Sequence, residues 1–135
     1  MRGFTIAATF LIITISLMSF QKKQKFDLKA SIERGQEVYN TQCITCHMEK
    51  GEGIDGAFPP VAKSDYLMAD KNRSIKQILE GATGEMKVNG KVYNGEMPAI
   101  DLTDEQVSDV LNYVRNSWGN KGGAVTPSEV TAQRK

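Results

Sequence analysis

The sequence predicts a small, mainly helical domain. Residues 31–40 and 74–80 have helix-forming patterns, a capping box opens a longer apolar repeat after residue 103, and only one short pair of strands is indicated. The 135 residues have the length of one domain, and no internal repeat is visible. Because 40% of the residues are hydrophobic and 24% are charged, the chain is not collagen-like, a coiled coil or fully disordered.

The first two predicted helices are short. Ser31 is expected to cap a helix that runs to about Asn40. Gly35 lies inside it, and since an interior glycine costs about 1 kcal/mol relative to alanine, it indicates a close approach of another helix. The second helix is expected over residues 74–80, with Gly81 as its C-terminal stop.

The hairpin and the last long helix have stronger local signals. An Asn-Gly pair at residues 89–90 between apolar residues predicts a tight, hairpin-like turn. Thr103 and Gln106 form a capping box that begins a helix. The apolar residues of this helix recur every three or four positions and are Val107, Val110, Leu111, Val114 and Trp118. Thr126 and Glu129 form a second capping box, which predicts a short helix in the tail.

The N-terminal segment predicts export. Residues 3–20 carry no charge and are mostly apolar, which is typical of a secretory signal peptide. The alternative is an anchor retained in the membrane, because the run is close to the roughly 20 residues that span a bilayer. The chain therefore divides into a signal peptide or N-terminal anchor at 1–21, a linker at 22–29, a folded domain at 30–120 and a polar tail at 121–135.

The net charge excludes one class of partner. Removing residues 1–21 takes away Arg2 and leaves 16 basic against 16 acidic side chains. No large field of a single sign is available for binding nucleic acid, so none is expected as a partner.

One motif carries the chemistry: Cys43-Ile44-Thr45-Cys46-His47 contains both cysteines and the only histidine of the chain. C-x-x-C-H is the attachment motif of c-type haem, in which two thiols bond the porphyrin and the histidine takes an axial position on iron. Three alternatives compete. A thioredoxin-like site needs a βαβ setting, a closed zinc site needs more ligands, and a plain disulfide would leave His47 without a role.

The second axial ligand is expected to be a methionine. With one histidine, two histidines cannot hold the iron, so a methionine, a rarer nitrogen donor such as lysine, or an open position remains. Met97 is preferred because Gly95 allows close approach of the chain and Pro98 stiffens the backbone. Met86 is the second candidate.

Several segments together resemble small mono-haem cytochromes c of class I, of the bacterial periplasmic type. The matching segments cover roughly residues 30–120 and are Gly35–Tyr39, Cys43–His47, Phe58–Val61, Tyr93–Pro98 and Leu111–Asn120. The resemblance implies an all-α fold, a few helices around one covalent haem with crossing N- and C-terminal helices. It also implies that Gly35 and Tyr39 meet Val110 and Tyr113 in that crossing.

The resemblance also implies further site residues. A loop proline carbonyl accepts the hydrogen bond of the axial imidazole in this family, and Pro59 matches it better than Pro60. Val61, Leu111 and Val114 are expected to line the haem pocket. Tyr66 is predicted to pack in the core, and Arg73 to lie on a solvated face.

The sequence therefore predicts a one-electron carrier and not an enzyme, with His47 and Met97 as axial ligands. It would shuttle electrons between periplasmic or membrane redox complexes, so its partners would be redox proteins, and a membrane would be a partner only if residues 3–20 are retained. Two alternatives stay open. One is a haem enzyme or gas-binding protein with an open iron site, and the other is a membrane-tethered cytochrome subunit of a larger complex.

Overall fold

Residues 25–134 are described by the computed structural model, so the predicted signal peptide at 1–21 lies outside the described part. The elements in chain order are α1 (Leu28–Gln42), α2 (Ile44–His47), α3 (Asp65–Ala69), α4 (Lys71–Glu80), β1 (Met86–Val88), β2 (Lys91–Tyr93), α5 (Asp104–Val114) and α6 (Pro127–Gln133). The prediction of an all-α fold is confirmed, since β1 and β2 form a two-stranded antiparallel hairpin and the other elements are helices.

The two longest helices, α1 and α5, pack together at Gly35. A Cβ built on Gly35 would lie 1.9 Å from the carbonyl oxygen of Asp109 and 2.9 Å from Cβ of Tyr113. The rings of Tyr39 and Tyr113 meet beside this point, with centroids 5.5 Å apart. The predicted close approach of a second helix at Gly35 is therefore present, although its nearest neighbour is the Asp109 backbone and not Val110.

The start of α1 differs from the prediction. Asp27 caps the helix by accepting hydrogen bonds from the amides of Lys29 and Ala30, so α1 begins within the predicted linker. Ser31 is buried inside the helix, and its hydroxyl donates to Asp109 of α5 at 2.5 Å. Ser31 was wrongly predicted as the cap because its hydroxyl is used by a residue 78 positions away.

The segment before the second predicted helix is also helical. α4 begins at Lys71, earlier than predicted, because the Asp70 carboxylate accepts from the amide of Arg73 at 3.0 Å and caps it. The short helix α3 precedes it and is capped by the Ser64 hydroxyl, which accepts from the amide of Leu67. α3 and α4 thus form a bent pair.

The predicted hairpin is part of a longer ribbon. Asn89 and Gly90 have φ of +50° and +81° and make the turn between β1 and β2. Met86 pairs with Tyr93, and four residues further out on each side Ala82 pairs with Met97. Because the register is continuous, residues 82–97 form one two-stranded ribbon with an unpaired middle part.

The last long helix begins as predicted and ends earlier. Both hydrogen bonds of the capping box between Thr103 and Gln106 are present. The helix stops at Val114, whose carbonyl accepts from the Asn120 side chain at 2.6 Å. Trp118 continues the apolar spacing but has φ of +50° and lies outside the helix.

The C-terminal segment contributes to the hydrophobic core. α6 has the second capping box, between Thr126 and Glu129, and packs against α5 and α4. Val125 and Val130 are both fully buried. This segment was predicted as a polar tail, and its burial comes from apolar residues too sparse to be noticed in the sequence.

Candidate haem-binding site

One large cavity collects the predicted site residues. It encloses about 1050 Å³ of non-atom space, including its open mouth. All eight predicted residues lie on its wall, namely Cys43, Cys46, His47, Pro59, Val61, Met97, Leu111 and Val114. They come from helices, loops and the ribbon, so only the tertiary fold brings them together.

His47 is held in one orientation by a backbone carbonyl. Its Nδ1 lies 3.0 Å from the carbonyl oxygen of Pro59. A carbonyl can only accept, so Nδ1 carries the hydrogen and the neutral ring keeps its free lone pair on Nε2. Burial lowers the pKa of His47, although the bond to Pro59 acts in the opposite direction. The imidazole is therefore in the neutral form that binds metals.

The glycine-rich loop brings Pro59 to this position. Gly51 and Gly53 have positive φ, and a Cβ on Gly53 would lie 2.3 Å from the carbonyl oxygen of Phe58. The amide of Gly53 donates to the carbonyl of His47 at 3.0 Å, and the amide of Val61 donates to Gly51 at 2.8 Å. The loop thus folds back on α2, and the cluster of glycines allows it to do so.

The two cysteines are half-buried free thiols on the cavity wall. Burial and the nearby Cys46 raise the pKa of the Cys43 thiol to about 11. Redox-active C-x-x-C motifs need the opposite shift, toward a reactive thiolate, so this site is unlike a thioredoxin. Within residues 25–134 no group of three or more His, Cys, Asp or Glu side chains could hold a metal ion, so the zinc alternative has no support either.

Two methionines reach the cavity, and they occupy different places. Met97 and Met86 both line it, whereas Met48 and Met68 do not. The amide and carbonyl of Met97 are paired with Ala82 at 2.8 and 2.9 Å, and its side chain packs against the hydrophobic core. Met86 lies four residues further along the ribbon from the level of Met97, or about 13 Å.

Several wall residues were not predicted. Tyr39 and Ile78 add apolar surface, and the hydroxyl of Tyr39 donates to the carbonyl of Met48 at 2.7 Å. Ser74, Gln77 and Ile78 recur at helical spacing, a signal that could have shown that one face of α4 points into the site. Tyr66, predicted as a core residue, also lies on the wall and is half-exposed.

Comparison with known proteins identifies the family. The model of the cytochrome c family matches residues 32–118. The chain belongs to the cytochrome c family. The cofactor of this cytochrome c is therefore a covalently attached haem c.

Relatives of this cytochrome include proteins named as cytochromes and cytochrome subunits of dehydrogenases. Cytochrome c-552 of Thermus thermophilus is 33% identical over 124 residues, which cover 75% of this chain and 94% of that protein. Cytochrome c6 of Leptolyngbya boryana is 33% identical over 87 residues, covering 63% of this chain and 91% of that protein. The cytochrome c subunit of the quinone alcohol dehydrogenase of Gluconobacter oxydans is 31% identical over 103 residues, 74% of this chain but only 22% of that subunit.

The residues of this cytochrome fit the cofactor. Haem has a large apolar ring, and the cavity wall is mostly apolar, with Val61, Leu111 and Val114 among its residues. The two thiols and the oriented imidazole stand on the same wall, and all three come from one stretch of five residues. The cavity thus offers two thiols that can bond the haem, an imidazole that can bind its iron, and a nonpolar volume for its ring.

Proposed function

We propose that this cytochrome c is a one-electron carrier in which Cys43 and Cys46 bond the haem and His47 and Met97 are its axial ligands. The observation that carries the proposal is the hydrogen bond from Nδ1 of His47 to the Pro59 carbonyl, on the wall of a cavity that both thiols share. This bond leaves Nε2 for the iron and makes the imidazole a stronger donor. When bound, the haem supplies reversible one-electron iron chemistry.

The residues around the haem site disfavour reactions in which a substrate or gas binds the iron. Apolar side chains exclude water from the ring, and Pro59 holds the imidazole against rotation. If His47 and Met97 both bound the iron, no position would be left for a substrate to bind it. These properties favour electron transfer over the alternative of a haem enzyme or gas-binding protein.

Met97 is the better candidate for the second axial position. It is anchored by two backbone hydrogen bonds to Ala82, and its side chain packs against the core, which holds the sulfur with little loss of entropy. Met86 is about 13 Å further along the ribbon, so the two side chains approach the cavity from different levels. A neutral thioether ligand would give a higher reduction potential than a second histidine.

The proposed location is the periplasm, and the proposed partners are redox proteins. Dehydrogenase cytochrome subunits among the relatives support partners of this kind. Support for export comes from the predicted signal peptide at 1–21. Among residues 25–134, no helix is long and apolar enough to cross a membrane.

An optical test with matched variants examines the ligand assignment. Oxidised and reduced spectra are recorded for the wild-type protein, Met97→Ala and Met86→Ala. We expect low-spin haem in the wild-type protein, with a methionine-to-iron charge-transfer band in the oxidised form. Met97→Ala should lose the band and bind carbon monoxide readily when reduced, and Met86→Ala should keep the band.

Other outcomes would assign the site differently. A band lost in Met86→Ala and kept in Met97→Ala would exchange the roles of the two methionines. High-spin haem that binds carbon monoxide in the wild-type protein would contradict the carrier proposal and favour an open iron site. Fractionation of cells that express the full chain tests the tether alternative, which requires the cytochrome to stay in the membrane fraction.

A further inference from the structure

One end of the otherwise apolar cavity is polar. Tyr66 of α3 and Gln77 of α4 both line it, and Nε2 of Gln77 donates to the Tyr66 hydroxyl at 3.4 Å. The tyrosine hydroxyl accepts in this pair, so its own hydrogen remains available, as does the second N–H of the glutamine amide. Two donors are thus available at this end of the cavity.

Arg73 stands directly behind these donors. Its guanidinium carbon lies 3.6 Å from the centroid of the Tyr66 ring, and Nη2 donates to the Tyr66 carbonyl. Nε of Arg73 is buried and has no hydrogen-bond partner among residues 25–134, and Arg73 takes part in none of the ion pairs in this part of the chain. Arg73 is half-buried and lines a surface groove, so it lies only partly on the solvated face predicted for it, and its charge acts on the carboxylate of Asp70, which caps the same helix.

A second guanidinium group, that of Arg115, also contacts α3. Arg115 is only 6% exposed, and its Nη1 donates to the carbonyl of Leu67, the residue after Tyr66. Its Nε likewise has no partner in the described residues, and burial lowers its pKa. Two guanidinium groups that form no ion pair within residues 25–134 thus contact consecutive carbonyls of α3, beside the cavity.

We propose that Tyr66, Arg73 and Gln77 bind the haem carboxylates, which places these groups at the α3–α4 end of the cavity. The Tyr66 hydroxyl and the Gln77 amide would donate to carboxylate oxygens, and the two guanidinium groups would supply the opposite charge. Haem is amphipathic, so its carboxylates need an end of the site that offers donors, positive charge and access to water. This end offers all three.

Access to water follows from the position of Gln77. This residue also lines a polar surface groove on the outer side of α4, together with Asp70, Arg73 and Lys76. Glu96 is the one acidic residue among the described residues that line the cavity, and it belongs to the ribbon and is exposed. A carboxylate near Glu96 would meet a like charge, whereas one near Gln77 would meet Arg73 and Lys76 against the single carboxylate of Asp70, so electrostatics favour the α3–α4 end.

The test measures the reduction potential of the holoprotein between pH 5 and pH 9 for the wild-type protein, Arg73→Gln, Arg73→Lys and Tyr66→Phe. An ionised carboxylate stabilises oxidised iron, so the potential falls as the pH rises through the pKa of the carboxylate. Arg73 keeps that pKa below this range, and the wild-type curve is expected to be flat. In Arg73→Gln the pKa should rise by about one unit or more, a tenfold change in the ionisation constant, and the potential should decline with pH.

Lys76→Gln is the matched control. It removes one positive charge from the same helix and groove, whereas the guanidinium that stacks on the Tyr66 ring belongs to Arg73. The reduction potential of Lys76→Gln should depend on pH as in the wild-type protein. Arg73→Lys keeps a positive charge, so its potential should decline with pH less than that of Arg73→Gln. In Tyr66→Phe the pKa of the carboxylate should rise by less than in Arg73→Gln. Identical profiles for Arg73→Gln and Lys76→Gln, in proteins with unchanged circular dichroism, would overturn the proposal.

The result of this test does not depend on which methionine binds the iron. The inference depends on the covalent haem of the family and not on Met97, because the potential reports the carboxylates whichever side chain binds the iron. If Arg73→Gln unfolds, Tyr66→Phe decides, since it removes only the hydroxyl and keeps the ring over the guanidinium. An unchanged profile in Tyr66→Phe would then overturn the assignment of its hydroxyl as a donor.

Discussion

At the scale of single residues, Gly35 allows α1 and α5 to touch. A methyl group there would lie 1.9 Å from the Asp109 carbonyl oxygen, and backbone atoms of a buried helix cannot move aside. We expect Gly35→Ala to lower the free energy of unfolding by about 1–2 kcal/mol, because so close a contact puts the steric cost near the upper end of about 1–3 kcal/mol, against the roughly 1 kcal/mol gained in helix propensity.

Denaturant unfolding followed by haem absorbance measures this effect. Gln36→Ala is the control, because it changes an exposed neighbour on the same helix and should alter the stability by less than about 0.5 kcal/mol. A Gly35→Ala protein as stable as the wild-type protein would mean that the two helices can separate without cost.

The residues of the site differ in how far the sequence revealed them. Cys43, Cys46 and His47 are consecutive in one motif, and its spacing alone predicts haem attachment. Arg73 gave no such signal, because its environment is made by the ring of Tyr66 and by a groove that exists only after folding. Motifs report chemistry that is local in sequence, whereas the charge balance of a pocket depends on residues far apart.

At the scale of elements, the ribbon of residues 82–97 carries Met97, and its turn is tied to α3. Asn89 and Asp65 exchange hydrogen bonds in which each backbone amide donates to the other's side chain, at 2.7 and 3.0 Å. Asn89 also has φ of +50°, which asparagine tolerates better than most residues. The turn and its attachment therefore depend on the same side chain.

We expect Asn89→Ala to destabilise the folded protein by about 1–2 kcal/mol, through one lost hydrogen bond and strain at positive φ. Asn89→Gly separates the two causes, because glycine keeps the backbone conformation and loses only the side-chain bond, so its effect should be smaller. Thermal unfolding of both variants is compared with that of Lys87→Ala, an exposed strand position that should be nearly neutral. A larger loss in Asn89→Gly than in Asn89→Ala would contradict this explanation.

The elements were predicted well where the signal is local. The capping box at Thr103 and the Asn-Gly turn each depend on neighbours in sequence, and both are present in the structure. The end of α5 was missed because Asn120 folds back to bond the Val114 carbonyl and the Val61 carbonyl, which no periodicity can indicate. Helix α3 was missed because five residues are too few to show a repeat.

At the scale of the whole molecule, the C-terminal segment completes the hydrophobic core. This segment lies beyond the residues that match the family, 32–118. Asn112 of α5 holds this segment by both ends of its amide: it donates to the Val125 carbonyl at 2.8 Å and accepts from the Val125 amide at 2.7 Å. Ser108 donates to the same carbonyl at 2.8 Å. Buried polar groups paired in this way lose their partners together if the segment is removed.

We expect a chain that ends at Gly122 to be less stable by several kcal/mol, because it exposes the core around Val125 and Val130 and removes the Val125 partner of Ser108 and of the Asn112 amide oxygen. Val130→Ala is the milder variant, expected to cost about 1–3 kcal/mol, and Ala132→Ser is the exposed control. Guanidinium unfolding of the haem-loaded proteins measures all three. A truncated protein with wild-type stability would mean that the segment only covers an already complete core.

The pH dependence of the same variants tests how α6 is attached. The hydrogen bond from Lys71 holds the pKa of Glu129 below its ordinary value of 4.5, and the hydrogen bond from Arg134 holds that of Asp104 below 3.8. A carboxyl whose pKa is lowered by folding adds stability above its unfolded pKa and loses it as the pH falls toward the folded value. The full chain should therefore lose stability below about pH 4.5 more steeply than the truncated chain, which lacks Glu129 and Arg134, and parallel curves would show that these ion pairs do not hold the helix.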